Sequence, residues 1–430
     1  MTSALVSIAA LLALMAVGLP IAFAMLIVGF AGLVYVLGWT PAAALVAQTT
    51  LDAGQAYELS VVPLFILMGS LVARAGIADD LYVAANVWLG RFRGGLAMAT
   101  IVACGLFSAM SGSSLATAAT MAKVAMPPMK RYGYQDSIAA GSIAAGGTIG
   151  ILIPPSVVMI VYGLLTETDI GKLFVAGIVP GLITIAGYMA AIWLTAVLKP
   201  GIAPRGEATS FLEKLAVTRR VWMFALLLIV VIGGIYLGVF TPTESAGIGA
   251  FGAFLLAIVR ARLRPAVVLD ILRDAAGITT MLFFVLIGAL IYTAFLNLAG
   301  FSYWLSEAIT GLGLTQLELI FILMAGYVVL GMFLESMSLI ILTIPIVFPI
   351  VQAAGIDPVW FGIFVVVLTE VSLITPPVGM NIFVLRSVLP EVGFRTICAG
   401  LIPFYVADII RILIFLFVPM TVMFLPLSMH

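Results

Sequence analysis

Long apolar stretches follow one another along most of the chain, separated by short polar segments. A helix needs about 20 predominantly apolar residues to cross a bilayer, and ten stretches come close to that length. The predicted crossings lie near residues 4–19, 21–37, 56–73, 137–164, 177–198, 221–239, 243–259, 275–298, 357–384 and 399–425. The pattern therefore predicts an all-α polytopic membrane protein.

Two other apolar stretches, 95–129 and 316–351, are too long for one crossing and are interrupted near the middle by small or polar residues. The interruptions are SGSS at 111–114 and ESMS at 335–338. We predict that each stretch forms the two short legs of a re-entrant hairpin, which enters the membrane and leaves on the same side. Irregular backbone at that depth is tolerated only where it is buried in protein or lines a water-filled cavity, so the hairpin tips are candidate binding sites.

Proline pairs interrupt two of the predicted crossings, 137–164 and 357–384. The pairs are Pro154-Pro155 in the first half of the chain and Pro376-Pro377 in the second. Proline inside a helix removes a backbone hydrogen bond and costs about 3 kcal/mol. We therefore predict that both crossings are broken helices whose freed backbone groups serve a binding site.

When the sequence is aligned with itself so that Pro154 faces Pro376, other residues of the same kind also face each other. We call this displacement the repeat shift. The aligned residues are Pro20 with Pro242, Ser114 with Ser336, and Pro127 with Pro349. The pattern predicts two repeats, 1–198 and 221–430, each with about five transmembrane crossings and one re-entrant hairpin, joined by a polar cytoplasmic linker, 199–220. An odd number of crossings inverts the second repeat, and inverted repeats with broken helices are typical of secondary transporters.

Two shorter amphipathic segments, 77–93 and 301–315, follow Gly76 and Gly300. Amphipathic helices of this kind lie in the plane of the membrane interface. We expect each segment to act as a hinge arm that connects the preceding crossing to its hairpin.

Composition agrees with the membrane prediction, since 64% of residues are apolar, 9% are charged and the mean hydropathy is +1.29. If the amino terminus is outside, 16 of the 19 lysines and arginines fall on the inside, as the positive-inside rule requires. The exceptions are Lys172, which falls outside, and Lys123 and Arg411, which fall within the membrane. We predict a bacterial inner-membrane protein with both termini periplasmic. Full double crossings in place of the hairpins would leave these loop sides unchanged.

The residues needed for several other functions are missing from the sequence. The two cysteines, Cys104 and Cys398, have no metal-ligand or disulfide spacing, and the single histidine is His430. No phosphate-binding glycine motif precedes a lysine-serine pair. We expect no enzyme activity, no bound cofactor and no nucleic-acid partner, so an ion gradient or another subunit must supply the energy.

The four mid-membrane interruptions form the predicted site. A broken helix exposes N–H groups that attract anions and carbonyls that attract cations, and serine and threonine hydroxyls add the hard oxygen ligands that sodium prefers. The candidate sodium- and substrate-binding residues are Ser111, Gly112, Ser113, Ser114, Thr117, Gly150, Pro154, Pro155, Ser156, Glu335, Ser336, Ser338, Thr369, Glu370, Thr375, Pro376, Pro377, Gly379 and Asn381. The predicted sodium ligands among them are Ser113, Ser114, Gly150, Ser336, Thr375 and Gly379.

Several ionisable residues within the predicted membrane region have more than one interpretation. Glu335 and Glu370 either carry protons or complete a cation site, or they are partnered acids that hold broken backbone in place. Lys123 either contacts an anionic substrate or pairs with an acid. Asp408 and Arg411, close together on the last predicted crossing, predict a pair that neutralises itself.

Several motifs resemble those of one known family. They are VVPLFILMGSLVARAGI (61–77), FSAMSGSSLATAATMAKVAMPPMKRYGY (107–134), GGTIGILIPPS (146–156), GVFTPTESAG (238–247) and LITPPVGMN (373–381). Over essentially its whole length the chain resembles the large membrane (M, DctM-like) subunit of tripartite ATP-independent periplasmic (TRAP) transporters, within the ion transporter superfamily.

The resemblance implies a sodium-driven importer of a small carboxylate such as a C4-dicarboxylate, sialic acid or another organic acid. It also implies an elevator mechanism, in which the hairpins and broken helices form a transport domain that moves against a scaffold. A soluble periplasmic substrate-binding (P) protein would deliver the substrate, and a separate small four-helix membrane (Q) subunit would bind the chain. At least two sodium ions per monoanion are expected, because one sodium with a monocarboxylate is electroneutral and gains nothing from the membrane potential.

A self-sufficient sodium/dicarboxylate symporter of the same superfamily is the alternative function. A non-transporting scaffold or an intramembrane enzyme is disfavoured, because a scaffold needs no paired helix breaks and the sequence lacks a catalytic constellation.

Overall fold

The computed structural model describes residues 2–207, 209–261, 264–311 and 313–429. These residues form α-helices, short 3₁₀ turns and one isolated β-bridge. The helices up to residue 198 are α1 Thr2–Ala16, α2 Ile21–Leu37, α3 Trp39–Gln55, α4 Val61–Arg74, α5 Ile77–Leu89, α6 Gly95–Ser111, α7 Ser114–Arg131, α8 Asp136–Thr148, α9 Val157–Thr166 and α10 Ile170–Leu198.

The helices after residue 198 begin with a short one in the predicted linker. They are α11 Phe211–Thr218, α12 Trp222–Tyr236, α13 Pro242–Ala261, α14 Pro265–Leu298, α15 Phe301–Gly311, α16 Gln316–Gly331, α17 Ser336–Ala353, α18 Pro358–Ile374, α19 Met380–Val388, α20 Phe394–Phe417 and α21 Met420–Met423. Within the described residues, seven helical stretches are long and apolar enough to cross a membrane.

Helix α3 was absent from the predicted elements. Its polar residues, which include Gln48, Thr50 and Asp52, end the apolar run after α2 without ending the helix. Most of its side chains are exposed. Charged residues likewise concealed the beginnings of α10 and α20. These helices begin at Ile170 and Phe394, before the predicted starts of 177 and 399.

One group of helices contains α1 to α4 and α12 to α14. Helix α2 packs along α14, and α4 packs along α13. Glycine permits the first of these contacts: a Cβ at Gly29 would lie 2.9 Å from the Cα of Tyr292, and a Cβ at Gly288 would lie 2.7 Å from the carbonyl oxygen of Ala22. The two backbones therefore touch directly.

A second group contains α6 to α10 and α16 to α20. Helix α8 crosses α20 at Gly141 and Gly400, and a Cβ on Gly400 would overlap the carbonyl oxygen of Ser137. Helix α7 packs against α19, and α9 packs against α17. These contacts connect helices of the first half of the chain with helices of the second half, and they place the two hairpins beside the two broken crossings.

Candidate binding site at the hairpin tips

The first hairpin tip joins α6 to α7 through two residues. Gly112 has φ 60°, the left-handed conformation that favours glycine. Ser113 then caps α7, because its Oγ accepts a hydrogen bond from the Ala116 N–H at 3.3 Å. The Ser111 and Thr117 hydroxyls lie 2.8 Å apart, so two members of the predicted hydroxyl cluster meet, whereas the Ser114 hydroxyl bonds to Asn381.

The second tip uses a carboxylate at the corresponding position. Glu335 caps α17 by accepting a hydrogen bond from the Ser338 N–H at 3.2 Å, and it also accepts one from the Ser336 hydroxyl at 3.0 Å. The Ser338 hydroxyl lies 3.5 Å from the same carboxylate. Glu335 therefore holds the backbone of the tip, and its half-buried carboxylate keeps further lone pairs free to accept a cation.

The first break follows α8. The chain continues through a 3₁₀ turn and a cis peptide bond between Pro154 and Pro155. Ser156 then caps α9, since its Oγ accepts a hydrogen bond from the Met159 N–H at 3.4 Å. Its own hydroxyl donates to the carbonyl of Ile151 at 2.6 Å, which ties the two sides of the break together.

The first break touches the first tip. A Cβ at Gly150 would lie 3.2 Å from the carbonyl oxygen of Ser113, and a Cβ at Gly112 would lie 3.5 Å from that of Pro155. The predicted grouping of the first tip with the backbone near Gly150 is therefore found in space.

The second break follows α18 and also contains a proline pair, but no side chain caps the helix after it. A cis peptide bond joins Pro376 to Pro377, and Gly379, with φ 63°, precedes α19. The Gly379 N–H donates to the carbonyl of Met332 at 3.2 Å, which attaches this break to the second tip. The Thr375 hydroxyl donates to the carbonyl of Val371 at 2.6 Å, so its oxygen still has a lone pair to offer.

Asn381 connects the helix after the second break to the first hairpin and to α8. It is fully buried, and its side-chain amide donates to the Ser114 hydroxyl at 2.9 Å and to the Ala144 carbonyl at 3.2 Å. Ser114 and Asn381 were predicted to serve different breaks. The sequence contains no local signal for a contact between positions so far apart along the chain.

The two tips share one cavity of about 360 Å³. On one side it is lined by the tip residues Ser111, Gly112, Ser113, Glu335, Ser336 and Ser338. On the other side it is lined by the largely apolar faces of α4 and α14, with Ser70 as a polar exception. Among the described residues that line it, Glu335 is the one charged residue and none is basic.

The other predicted site residues lie behind the tips and are not among the described residues that line this cavity. Thr369, for example, donates its hydroxyl to the Val365 carbonyl within α18 at 2.8 Å. The sequence prediction also missed two hydroxyls that do line the cavity, Ser70 and Thr120. For Ser70 the sequence did contain a signal, because a polar residue stands beside Gly69 in the middle of an apolar crossing.

Glu370 lies in a separate buried cluster. Its carboxylate is 2.6 Å from the Arg411 guanidinium, whose Nε is 2.9 Å from Asp408. The predicted contact between Asp408 and Arg411 is present, but Arg411 also pairs with Glu370, so the two residues do not form the isolated self-neutralising pair that was predicted. Tyr188 donates to the same aspartate at 2.7 Å. Glu370 is thus partnered, but its partner is a side chain and not the backbone of the break, so neither interpretation of Glu370 describes this contact in full. Lys123 is exposed on α7 and forms no ion pair with the part of the chain that the structure describes.

A family model described as "Tripartite ATP-independent periplasmic transporter, DctM component" matches residues 8–421. The chain belongs to this family. It is therefore a TRAP transporter large permease and a multi-pass membrane protein, as the motifs predicted.

Curated relatives agree with the family assignment. The chain is 37% identical to the C4-dicarboxylate TRAP transporter large permease protein DctM of Pseudomonas aeruginosa, over 87% of each protein. It is 30% identical to the sialic acid TRAP transporter large permease protein SiaM of Vibrio cholerae, over 96% of each. It is 35% identical to the isethionate TRAP transporter permease protein DctMQ of Oleidesulfovibrio alaskensis, over 80% of this chain and 54% of that protein.

The fold also resembles that of a solved transporter. The crystal structure of the Alcanivorax borkumensis YdaH transporter superimposes with a TM-score of 0.65 over 88% of each chain, at 14% identity. At that identity the similarity shows a shared fold alone.

Proposed function

We propose that this large permease uses a sodium gradient to import a small organic anion, most simply a carboxylate. The observation that carries the proposal is the single cavity shared by the two hairpin tips, each tip in contact with its own proline break. Its volume of about 360 Å³ lies at the lower end of the usual range for small-ligand sites, ~300–1,000 Å³.

The charge of the cavity favours a cation as the first ligand. The described part of its lining contains the Glu335 carboxylate and no basic side chain, so an anionic substrate alone would be repelled. Sodium bound beside the tips would cancel that repulsion and add attraction. The amino ends of α7 and α17 also lie at the tips and favour a negative ligand. We infer that sodium binds before the substrate and is required for it.

We propose two sodium half-sites. The first combines Ser113, Ser114 and the backbone near Gly150, and the second combines Ser336, Thr375 and the backbone near Gly379. Support comes from the short distances between each tip and its break. At least two sodium ions per monoanion would move net positive charge inward, which gains about 2.3 kcal/mol per charge per 100 mV.

We further propose that residues 1–198 and 221–430 are inverted repeats and that the second helix group moves as an elevator against the first. The helix bounds support the repeat, because the repeat shift carries both ends of α7 onto the ends of α17. The packing supports it as well, because the contact of α7 with α19 is mirrored by that of α17 with α9.

The proposed partners are a periplasmic substrate-binding protein and a small membrane subunit, in a bacterial inner membrane with both termini on the periplasmic side. The name and length of the relative DctMQ support the small subunit, since this chain accounts for 54% of that protein. The names of relatives point to C4-dicarboxylates, sialic acid or another organic acid as the substrate class.

The test measures substrate uptake into proteoliposomes that contain the full chain. The assay is run with and without the proposed small membrane subunit and substrate-binding protein. We expect substrate uptake that requires an inward sodium gradient, both partners, and a negative interior potential for its full rate. Sodium-dependent uptake by this chain alone would identify the self-sufficient symporter. Uptake that ignores both sodium and the membrane potential would contradict the proposed coupling.

A further inference from the structure

Three arginines converge on a surface pocket that lies outside the cavity between the tips. The pocket has a volume of about 390 Å³ and is lined by Arg91, Phe92, Arg93, Trp193, Val197 and Arg205. The arginines come from two segments, the turn between α5 and α6 and the beginning of the predicted linker. The aromatic residue Trp193 comes from the last turns of α10.

Backbone hydrogen bonds hold the two arginine segments side by side. The Gly94 N–H donates to the Ala203 carbonyl at 3.1 Å, and the Gly206 N–H donates to the Gly90 carbonyl at 2.8 Å. Between them Arg93 and Arg205 face each other in an antiparallel bridge. The arrangement is therefore fixed by the fold and does not depend on flexible side chains alone.

Like charges directly opposite each other across a bridge are unfavourable. Six ion pairs are found in the described part of the chain, and none of them involves Arg91, Arg93 or Arg205. Glu207 lies nearby in the sequence but is exposed and forms no ion pair with them. Three positive charges thus meet at a concave surface without a counter-ion from the residues that the structure describes.

The surroundings of the pocket are those of a membrane interface. Helix α10 is a candidate membrane span, and Trp193 and Leu198 near its end are 51% and 70% exposed. Tryptophan at the end of a span is typical of the headgroup level, and the exposed apolar side chains of α10 would contact acyl chains.

We propose that this pocket binds the headgroup of an anionic phospholipid, with the phosphate among the three arginines and an acyl chain along α10. Basic pockets beside transmembrane helices on the cytoplasmic side bind such headgroups. The bound lipid would neutralise the three facing charges and so hold the turn before the first hairpin and the start of the linker together.

The test compares lipid binding to the purified full chain by native mass spectrometry and by thermal stabilisation. The probes are phosphatidylglycerol, phosphatidylcholine, soluble sn-glycerol 1-phosphate and inorganic phosphate. We expect selective binding of phosphatidylglycerol. In the variant R91Q/R93Q/R205Q its affinity should fall by about a hundredfold, since each arginine near an anionic surface contributes about fivefold.

A matched control removes the same charge elsewhere. Arg131, Arg219 and Arg386 are exposed and lie outside the pocket, so R131Q/R219Q/R386Q should retain the affinity within about threefold. If the triple pocket variant does not fold, R91Q alone should lower the affinity about fivefold. Unchanged phosphatidylglycerol binding in the pocket variants would overturn the proposal. Equal stabilisation by the soluble phosphates would overturn it as well, because it would identify a soluble-anion pocket.

Discussion

At the first hairpin tip a neutral hydroxyl, that of Ser113, caps helix α7, whereas at the second tip a carboxylate, that of Glu335, caps helix α17. The difference continues behind the tips. Thr148, in α8, bonds only within its own helix, whereas Glu370, its equivalent under the repeat shift, forms an ion pair with Arg411. The two halves thus share a similar backbone arrangement, but the compared residues are neutral in the first half and charged in the second. We therefore expect the two halves to respond differently to matched substitutions.

The largest effect is expected for Arg411→Leu. This change leaves the fully buried carboxylates of Glu370 and Asp408 without a counter-charge, and removing one partner of a buried ion pair costs about 3–5 kcal/mol. We expect loss of monodisperse protein in size-exclusion chromatography, or a large fall in the thermal midpoint. Adding Glu370→Gln to the variant should recover part of the loss.

The control for that prediction is Met189→Leu, in α10 of the first half of the chain. Met189 is partly buried and uncharged, and exchange of Met for Leu costs less than about 1.5 kcal/mol. Equal thermal midpoints for Arg411→Leu and Met189→Leu would show that the cluster contributes nothing to stability and that the halves do not differ there.

A smaller effect is expected on sodium affinity when the capping residues Glu335 and Ser113 are substituted. Glu335→Gln keeps a side-chain acceptor for the cap but removes the charge from the cavity, so apparent sodium affinity in the uptake assay should fall about tenfold or more. Ser113→Ala removes one neutral oxygen and a cap of about 1 kcal/mol, and should change sodium affinity less. Equal shifts in the two variants would remove the proposed electrostatic difference between the tips.

The smallest effect concerns the ion pair between Lys130 and Glu391, which joins the end of α7 to the loop before α20 at 2.8 Å. The hydrogen bond from Lys130 lowers the pKa of the Glu391 carboxyl. A lowered pKa stabilises the fold above the unfolded value of about 4.3, and the stabilisation is lost as the pH falls through the folded pKa. We expect Lys130→Met to lower the thermal midpoint slightly at pH 7.

The same variant should match the unmodified protein more closely at pH 4, as measured by differential scanning fluorimetry. In the corresponding loop of the first half, Asp169 caps α10 by accepting from the Lys172 N–H at 2.9 Å. Asp169→Asn, which can still cap, is therefore the control. A larger midpoint difference for Lys130→Met at pH 4 than at pH 7 would contradict the assignment.

The lengths of the apolar stretches, and the glycine, proline and hydroxyl residues that interrupt them, predicted much of the architecture. The helix interruptions at 112–113 and at the two proline pairs fall where the sequence placed them, and the interruption at 332–335 begins three residues before the predicted 335–338. Glycine, proline and clustered hydroxyls act locally on the backbone, which is why the sequence could locate them. Helix α3 was missed because its polar residues conceal a helix that buries little surface.

Contacts between distant segments were beyond prediction for a different reason. The hydrogen bond between Ser114 and Asn381 and the ion pair between Glu370 and Arg411 depend on how helices cross, and a local pattern carries no information about crossings. The apolar wall that α4 and α14 give the cavity was missed for the same reason, since each of its residues resembles any other residue of an apolar span.

Helix α14 runs unbroken for 34 residues, about 51 Å, while its counterpart is divided into α3 and α4 around Ala56. Ile278, Met281, Leu282 and Val285 present one continuous face of α14 to the cavity. The direction of this face depends on every residue that precedes it in the helix. Inserting one residue before it would rotate the face by about 100° relative to the exposed end of the helix. The interrupted counterpart contains a joint that could absorb such an insertion. The cavity between the tips thus has one wall whose orientation is set by a single unbroken helix, and another wall, on α4, whose orientation can be adjusted at the joint before it.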